Sequence, residues 1–460
     1  MQLVDRSVRF DVDARRRAGI VEGRMNAPHR ESIVVIGGGQ AGGRLAQALA
    51  KGADRFAITL VCREPHPPYE RPPLSKGVLL GTDSFDKCVI WPSQDPAWSR
   101  VNLRPGVSAE RIDRAAKSVC LSDGQVVGYD ALVLATGSDL RRLSVPGSGL
   151  DGIHSLRTID DSLAIARRFA KGKRLVVVGG GFIGLEIAAS ARMAGLETTV
   201  IEASDRLLAR VVPPPIAGRL AKRHEKAGVT LRLGTMVERF VGNPRNALRA
   251  VQLSTGESLP CDLAVVGVGV KAEASLAIEA GLNVDVGVLV DQSLRSSDPA
   301  IFACGDVATF WHPLFERHVR VESWQNAEDQ ARVIAATLRG EPAVCDAVPW
   351  FWSDQYDLSL QIAGLPSLGS SVVIRKLEGE AAILFHLDPS GRIVGATGLG
   401  PASAIGRDIR IAQRLIAASA TPGAAALRDP ATRLRGLLGE RDAKRGGGGS
   451  LGTVQPSGEA

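Results

Sequence analysis

The sequence predicts an α/β protein with two nucleotide-binding units of one design and a smaller α/β region after them. Three observations lead there. A β-branched run that breaks into GxGxxG and then into a helix-period segment occurs twice, with first glycines at Gly37 and Gly179. The 460 residues are 45% hydrophobic and 23% charged, enough apolar content to bury cores in about three domains at ~150 residues each. No apolar run approaches the ~18 residues of a membrane span.

In chain order, residues 1–30 carry Arg15, Arg16 and Arg17 with no apolar period. The apolar core of a signal peptide, about 7–15 residues, is missing. Asp5, Asp11, Asp13 and Glu22 argue against a mitochondrial presequence. A loose extension over 1–30 is expected, with folded structure from about Ser32 and a second possible start at Met25. At the other end Gly446 to Gly449 open a Gly/Ser-rich stretch, so 439–460 reads as a flexible tail. The six cysteines (62, 88, 120, 261, 304 and 345) are scattered, with no CxxC, no CxxCH and no zinc spacing. That pattern predicts no metal and no disulfide framework, and it suits a reducing cytoplasm.

The first unit is IVVIGGGQAGG, Ile33–Gly43, followed by Leu45–Leu49 at helical period. Gly37 permits the tight turn, Gly39 lets backbone approach a pyrophosphate, and Gly42 lets helix and strand pack closely. The helix N-terminus then faces the phosphate charge. The second unit is LVVVGGGFIGLEIAASARMA, Leu175–Ala194, with Gly179, Gly181 and Gly184 in the same places. Neither ends in Gly-Lys-Ser/Thr, so neither is a P-loop. Two such Rossmann-like units in one chain imply two dinucleotides, most economically FAD and a nicotinamide nucleotide.

A carboxylate ~20 positions on is expected to hold the adenosine ribose. In the second unit Thr198–Ile201 ends at Glu202, which accepts from a 2′-hydroxyl and repels a 2′-phosphate, favouring NADH; Arg206 lies close enough to oppose that preference. In the first, Ile58–Val61 leads to Cys62, Arg63 and Glu64, so the carboxylate arrives one place late. Two short strands add support: LVLATG (Leu132–Gly137), as for a chain crossing between units, and IFACGD (Ile301–Asp306). Asp306 at that strand end can accept hydrogen bonds from a ribityl chain. Nine of twenty aromatics fall within 302–356, mostly as core of the later region.

Taken in order, Gly37–Gly42, YERPPLSK (Tyr69–Lys76), LVLATG, Leu156-Arg157-Thr158, GGGFIGLE (Gly179–Glu186), CGD (Cys304–Asp306), ESWQNA (Glu322–Ala327) and PWFWSDQY (Pro349–Tyr356) form one pattern. The chain resembles the FAD-dependent NADH:ferredoxin reductases of bacterial Rieske oxygenases and heme monooxygenases, the putidaredoxin reductase, rhodocoxin reductase and biphenyl dioxygenase reductase type. The resemblance covers roughly 30–435. It implies a split FAD domain over 31–140 and 271–347, an inserted NADH domain over 141–270 and a C-terminal domain over 348–438.

The resemblance also implies roles. Ala41, Lys76, Ala109, Arg157, Asp306 and Trp324 should contact FAD. Arg63 stands where the family has Asp or Glu, which leaves the ribose to Arg63 or Glu64. Lys76 should sit at the reactive flavin edge, paired with Glu186 beside the nicotinamide, and Trp324 should form a flat wall. Gly269 belongs to the nicotinamide loop, which departs from the family at Lys271-Ala272-Glu273. With no metal motif in the chain, electrons should leave to a separate acidic 2Fe–2S ferredoxin, and through it to a terminal oxygenase. A net charge of +7 suits that partner, and Arg407, Arg410 and Arg414 form one stripe on a helix over Ile405–Ile416. The same stripe reads equally as a solvated basic face. Neither nucleic acid nor membrane is expected as a partner. A disulfide reductase needs a CxxxxC pair after the first unit, which is missing. An NADH-sensing flavoprotein like apoptosis-inducing factor, or an NADH oxidase or quinone reductase, stays open.

Overall fold

The computed structural model describes residues 30–52, 55–92 and 94–438. The expected tail, and the extension up to residue 29, lie outside the described residues. The first unit holds β1 (Glu31–Ile36), α1 (Gln40–Ala50), β2 (Phe56–Cys62), β3 (Val101–Pro105) and β4 (Ala131–Leu134). The second holds β5 (Ile153–His154), β6 (Arg174–Val178), α2 (Phe182–Met193), β7 (Glu197–Ile201), α3 (Pro214–Lys226), β8 (Val229–Arg232) and β9 (Leu263–Val266). The chain then returns with β10 (Ile301–Ala303) and α4 (Trp324–Leu338).

Both sheets are parallel, in the orders β10–β4–β1–β2–β3 and β8–β7–β6–β9–β5. The glycine-ended strands β1 and β6 lie inside their sheets, and their apolar runs are buried. Unbroken apolar runs are what a parallel strand covered on both faces requires. Strand order reverses beside β1 and β6, which places the N-termini of α1 and α2 at the switch points where such sheets bind ligands. The two crossings between units, Ser138–Leu140 and Val270–Ala272, pair with each other as an antiparallel ribbon.

The last region is an antiparallel sheet of β11 (Trp350–Gln355), β12 (Leu358–Gly364), β13 (Ser371–Lys376), β14 (Ala382–Leu387) and β15 (Ile393–Gly400), in the order β11–β12–β15–β14–β13. It is backed by α5 (Ala402–Ala417), whose Ile405, Ile409, Ala412 and Ile416 face inward as their spacing predicts. One apolar core joins all three regions: Tyr69, Leu74 and Leu79 from the first, Leu185 and Ile187 from α2, and Leu360 and Leu384 from the last sheet. The candidate site lies along this seam.

Candidate active site

The two glycine turns repeat each other closely. Gly37 and Gly179 have φ of 117° and 112°, a region that L side chains avoid, and each donates its N–H across to the neighbouring strand at 2.8 Å. A Cβ on Gly42 would lie 1.9 Å from the Gly37 carbonyl oxygen, and one on Gly184 would lie 2.1 Å from that of Gly179. These positions close the turn. Gly39 and Gly181 are different: a Cβ there would meet nothing within 4 Å among the described residues. They cap α1 and α2 without any side-chain hydrogen bond. Open space in front of uncapped N–H donors is what a pyrophosphate needs, so both cradles fit a dinucleotide.

At the ends of β2 and β7 the units diverge. The registers Ile36↔Val61 and Val178↔Ile201 place Cys62 and Glu202 at the same position, one past the last pair. Glu202 accepts from the N–H groups of Gly180 at 2.7 Å and Ser204 at 2.8 Å. In the first unit that position belongs to buried Cys62, whose thiol burial pushes up to about 12. Arg63 points outward, 3.4 Å from Asp139. Glu64 accepts from Arg71 at 2.7 Å and from the Tyr69 hydroxyl. Burial pushes its carboxyl up, but the Arg71 cation and these hydrogen bonds outweigh that and hold it below its usual range. Arg206, which could have opposed Glu202, spends its guanidinium on the carbonyls of Val212 and Ala209.

Lys76 and Glu186 meet at the seam, Nζ to Oε2 at 2.7 Å. Pro72 and Pro73 start the tight turn Pro72–Ser75 that delivers Lys76. Two hydroxyls pin that turn from behind: Ser162 donates to the Leu74 carbonyl and Ser190 to that of Ser75, each at 2.7 Å. Glu186 is buried on the first turns of α2 and also accepts from Ser75 at 2.5 Å and Ser353 at 2.7 Å. These hydroxyl partners were not among the predicted residues. Ser75 and Ser353 sit inside RPPLSK and WFWSDQY, but nothing local in those segments signals a shared carboxylate.

Of the other predicted residues, Ala41 lies beside the CGD turn, where a Cβ on Gly305 would come 3.2 Å from its methyl. Asp306 accepts from Ser138 at 3.2 Å and lies 3.6 Å from Arg157. Trp324 opens α4, edge-on to Trp352 at 6.0 Å, and Trp352 stacks on Trp350 at 4.9 Å. Ala109 starts a strand of a small separate sheet and packs on the first core. Gly269, at φ 103°, lies near the Arg141 and Arg210 side chains.

The family model described as pyridine nucleotide-disulphide oxidoreductase matches residues 31–331, both cradles included. The chain belongs to this family. A second model, described as reductase C-terminal, matches 350–438. The chain is 40% identical to the anthranilate 1,2-dioxygenase system ferredoxin–NAD(+) reductase component of Burkholderia cepacia, over 89% of this chain and 99% of that one. It is 43% identical to rhodocoxin reductase of Rhodococcus erythropolis, over 75% and 80%. The crystal structure of a covalent putidaredoxin reductase–putidaredoxin complex matches with a TM-score of 0.85 at 33% identity, over 88% of this chain and 98% of that one. The chain is an FAD-dependent oxidoreductase, with NADH as its second nucleotide. All six cysteines are free. Among the described residues no group of His, Cys, Asp and Glu is placed to hold a metal, and no helix is long and apolar enough to cross a membrane.

Proposed function

We propose that the protein takes a hydride from NADH onto FAD and passes the electrons singly to an acidic 2Fe–2S ferredoxin, which feeds a Rieske-type ring-hydroxylating dioxygenase or a heme monooxygenase in the cytoplasm. The observation that carries this reading is the Lys76–Glu186 pair, with Glu186 buried and Lys76 half-buried where the two nucleotide units meet the C-terminal sheet. Bound FAD supplies the chemistry, accepting two electrons together and releasing them one at a time.

The chain's own residues bind and orient. Gly37, Gly39, Ala41 and Gly42 would hold the FAD pyrophosphate on the N-terminus of α1, with Arg157 and Asp306 on its linker and Arg63 or Glu64 and Ala109 near its adenosine end. Gly179, Gly181 and Gly184 would hold NADH on α2, with Glu202 on the ribose and Gly269 at the nicotinamide. The Lys76 ammonium would stabilise negative charge on the bound flavin, with Glu186 holding that ammonium in place, and Trp324 would wall the ring. The antiparallel ribbon of the two crossings supports domain limits at 140/141 and 270/271, with the C-terminal domain over 348–438. Cys62 and Cys88 are free thiols, already at the reduced level, so neither can take the electrons as a disulfide would.

Arg407 and Arg410 are exposed on α5 and Arg414 is half-buried, a stripe that would meet the ferredoxin. The test is NADH-driven reduction of cytochrome c with and without an acidic 2Fe–2S ferredoxin, beside consumption of oxygen and quinone. The expected result is cytochrome reduction only with ferredoxin. Equal or faster turnover with oxygen or quinone would overturn the assignment.

A further inference from the structure

The two carboxylate oxygens of Glu186 are served from different sides. Oε2 takes the Lys76 ammonium and the Ser75 hydroxyl, while Oε1 takes the Ser353 hydroxyl from β11. Behind Ser353 the row continues. The Gln355 amide N–H donates to Ser353 Oγ at 3.0 Å, His224 Nε2 lies 2.8 Å from Gln355 Oε1, and the Tyr356 hydroxyl lies 3.4 Å from His224 Nδ1.

Donor counting fixes the direction of this row. Ser353 has one proton, and since it accepts from Gln355 that proton goes to Glu186. The amide oxygen of Gln355 can only accept, so His224 carries its proton on Nε2 and offers Nδ1 to Tyr356. Burial holds the His224 ring toward its neutral form. Every proton in the row therefore points toward the carboxylate, and aligned hydrogen bonds in a dry interior polarise one another. Ser353, Gln355 and His224 are at most 2% exposed, so water does not stand in for any of them.

We infer that Ser353 and Gln355, backed by His224 on α3, are positioning residues for the Lys76–Glu186 pair, so that the C-terminal sheet sets the carboxylate that sets the ammonium. Apart from Glu186, the Lys76 ammonium has among the described residues only a 3.4 Å contact to the Pro72 carbonyl, so a carboxylate free to turn would release it. The inference rests on the role given to that pair above.

The experiment is stopped-flow bleaching of the FAD-loaded enzyme across a range of NADH concentrations, for Glu186→Gln, Ser353→Ala, Ser353→Thr and Gln355→Met. Ser353→Ala should lower the limiting rate by about tenfold with half-saturation by NADH unchanged, as expected for a lost hydrogen bond to a charged group. Gln355→Met, one bond further back, should give a smaller loss of the same kind. Ser353→Thr restores the hydroxyl and should recover the rate to within about twofold of wild type. Wild-type limiting rates for Ser353→Ala and Gln355→Met beside a slow Glu186→Gln would overturn the inference alone. So would a threonine variant as slow as the alanine one, or losses confined to half-saturation. A wild-type rate for Glu186→Gln would remove the role of the pair, and this inference with it.

Discussion

Glu202 is already fixed by two backbone N–H groups, so its negative charge stays put when a nucleotide arrives. A 2′-phosphate would meet that charge, and Arg206 is committed to backbone carbonyls. Steady-state kinetics should give a kcat/KM for NADH well above that for NADPH. Glu202→Ala should cut the ratio by about tenfold, the scale of one hydrogen bond to a charged group; an unchanged ratio would move ribose recognition elsewhere. Lys76 is a different case, because its ammonium matters through charge rather than packing: the side chain is 29% exposed. Lys76→Ala leaves buried Glu186 without its counter-charge, so it should lower the thermal midpoint while slowing flavin bleaching by at least about tenfold, as when a placed charge-stabilising donor is removed. Full FAD content with wild-type bleaching would leave Lys76 a bystander.

At the level of elements, the cradles allow a substitution that separates binding from folding. A Cβ at Gly181 would meet nothing within 4 Å among the described residues, and φ there is −82°, open to any residue. Gly181→Val should therefore fold normally yet bind NADH far more weakly, as seen by titration of the flavin signal; unchanged affinity would mean that the nucleotide phosphates lie elsewhere. The C-terminal sheet makes a pH prediction. His386 on β14 bonds Thr397 inside the core, and burial lowers its pKa to about 4. The unfolded chain takes up a proton below about 6.5 that the folded one refuses, so stability is complete above ~6.5 and falls as pH drops toward 4. The loss should be on the order of 2–3 kcal/mol. His386→Gln should flatten that stretch of a denaturation-versus-pH series, and an equal slope in both proteins would contradict the buried neutral ring. Both cradles and α5 were legible in the sequence because their signals are local: three glycines between strand and helix, or apolar residues at helical period. The equivalence of Cys62 with Glu202 was not, since it depends on register between strands separated in sequence. The partners of Glu186 were hidden for a similar reason: Ser75 lies 111 residues away and Ser353 167, and no spacing rule joins them.

For the whole molecule, a net charge of +7 and the outward face of α5 predict how a docked acidic protein would respond to salt. Replacing Arg407 and Arg410 with Ala should lower the ferredoxin-coupled rate at about 0.01 M salt while leaving flavin bleaching by NADH untouched. At about 0.15 M the screening length falls from ~30 to ~8 Å, so the gap between wild type and variant should narrow. A coupled rate indifferent to both would place docking on another face. The return of the chain at β10 has a consequence of another kind. The first nucleotide sheet ends at β10, whose Ile301–Ala303 pair with Leu132–Leu134, and the whole second unit is spelled out between those strands. On a ribosome adding ~5–20 residues per second, the first cradle waits on the order of ten to thirty seconds for its last strand. The second unit, continuous in sequence from β5 to β9, can close during that pause. Birth order is thus reversed relative to reading order: the pocket encoded first is the pocket finished last, and a nascent chain stalled before residue 301 should hold NADH sooner than it holds flavin.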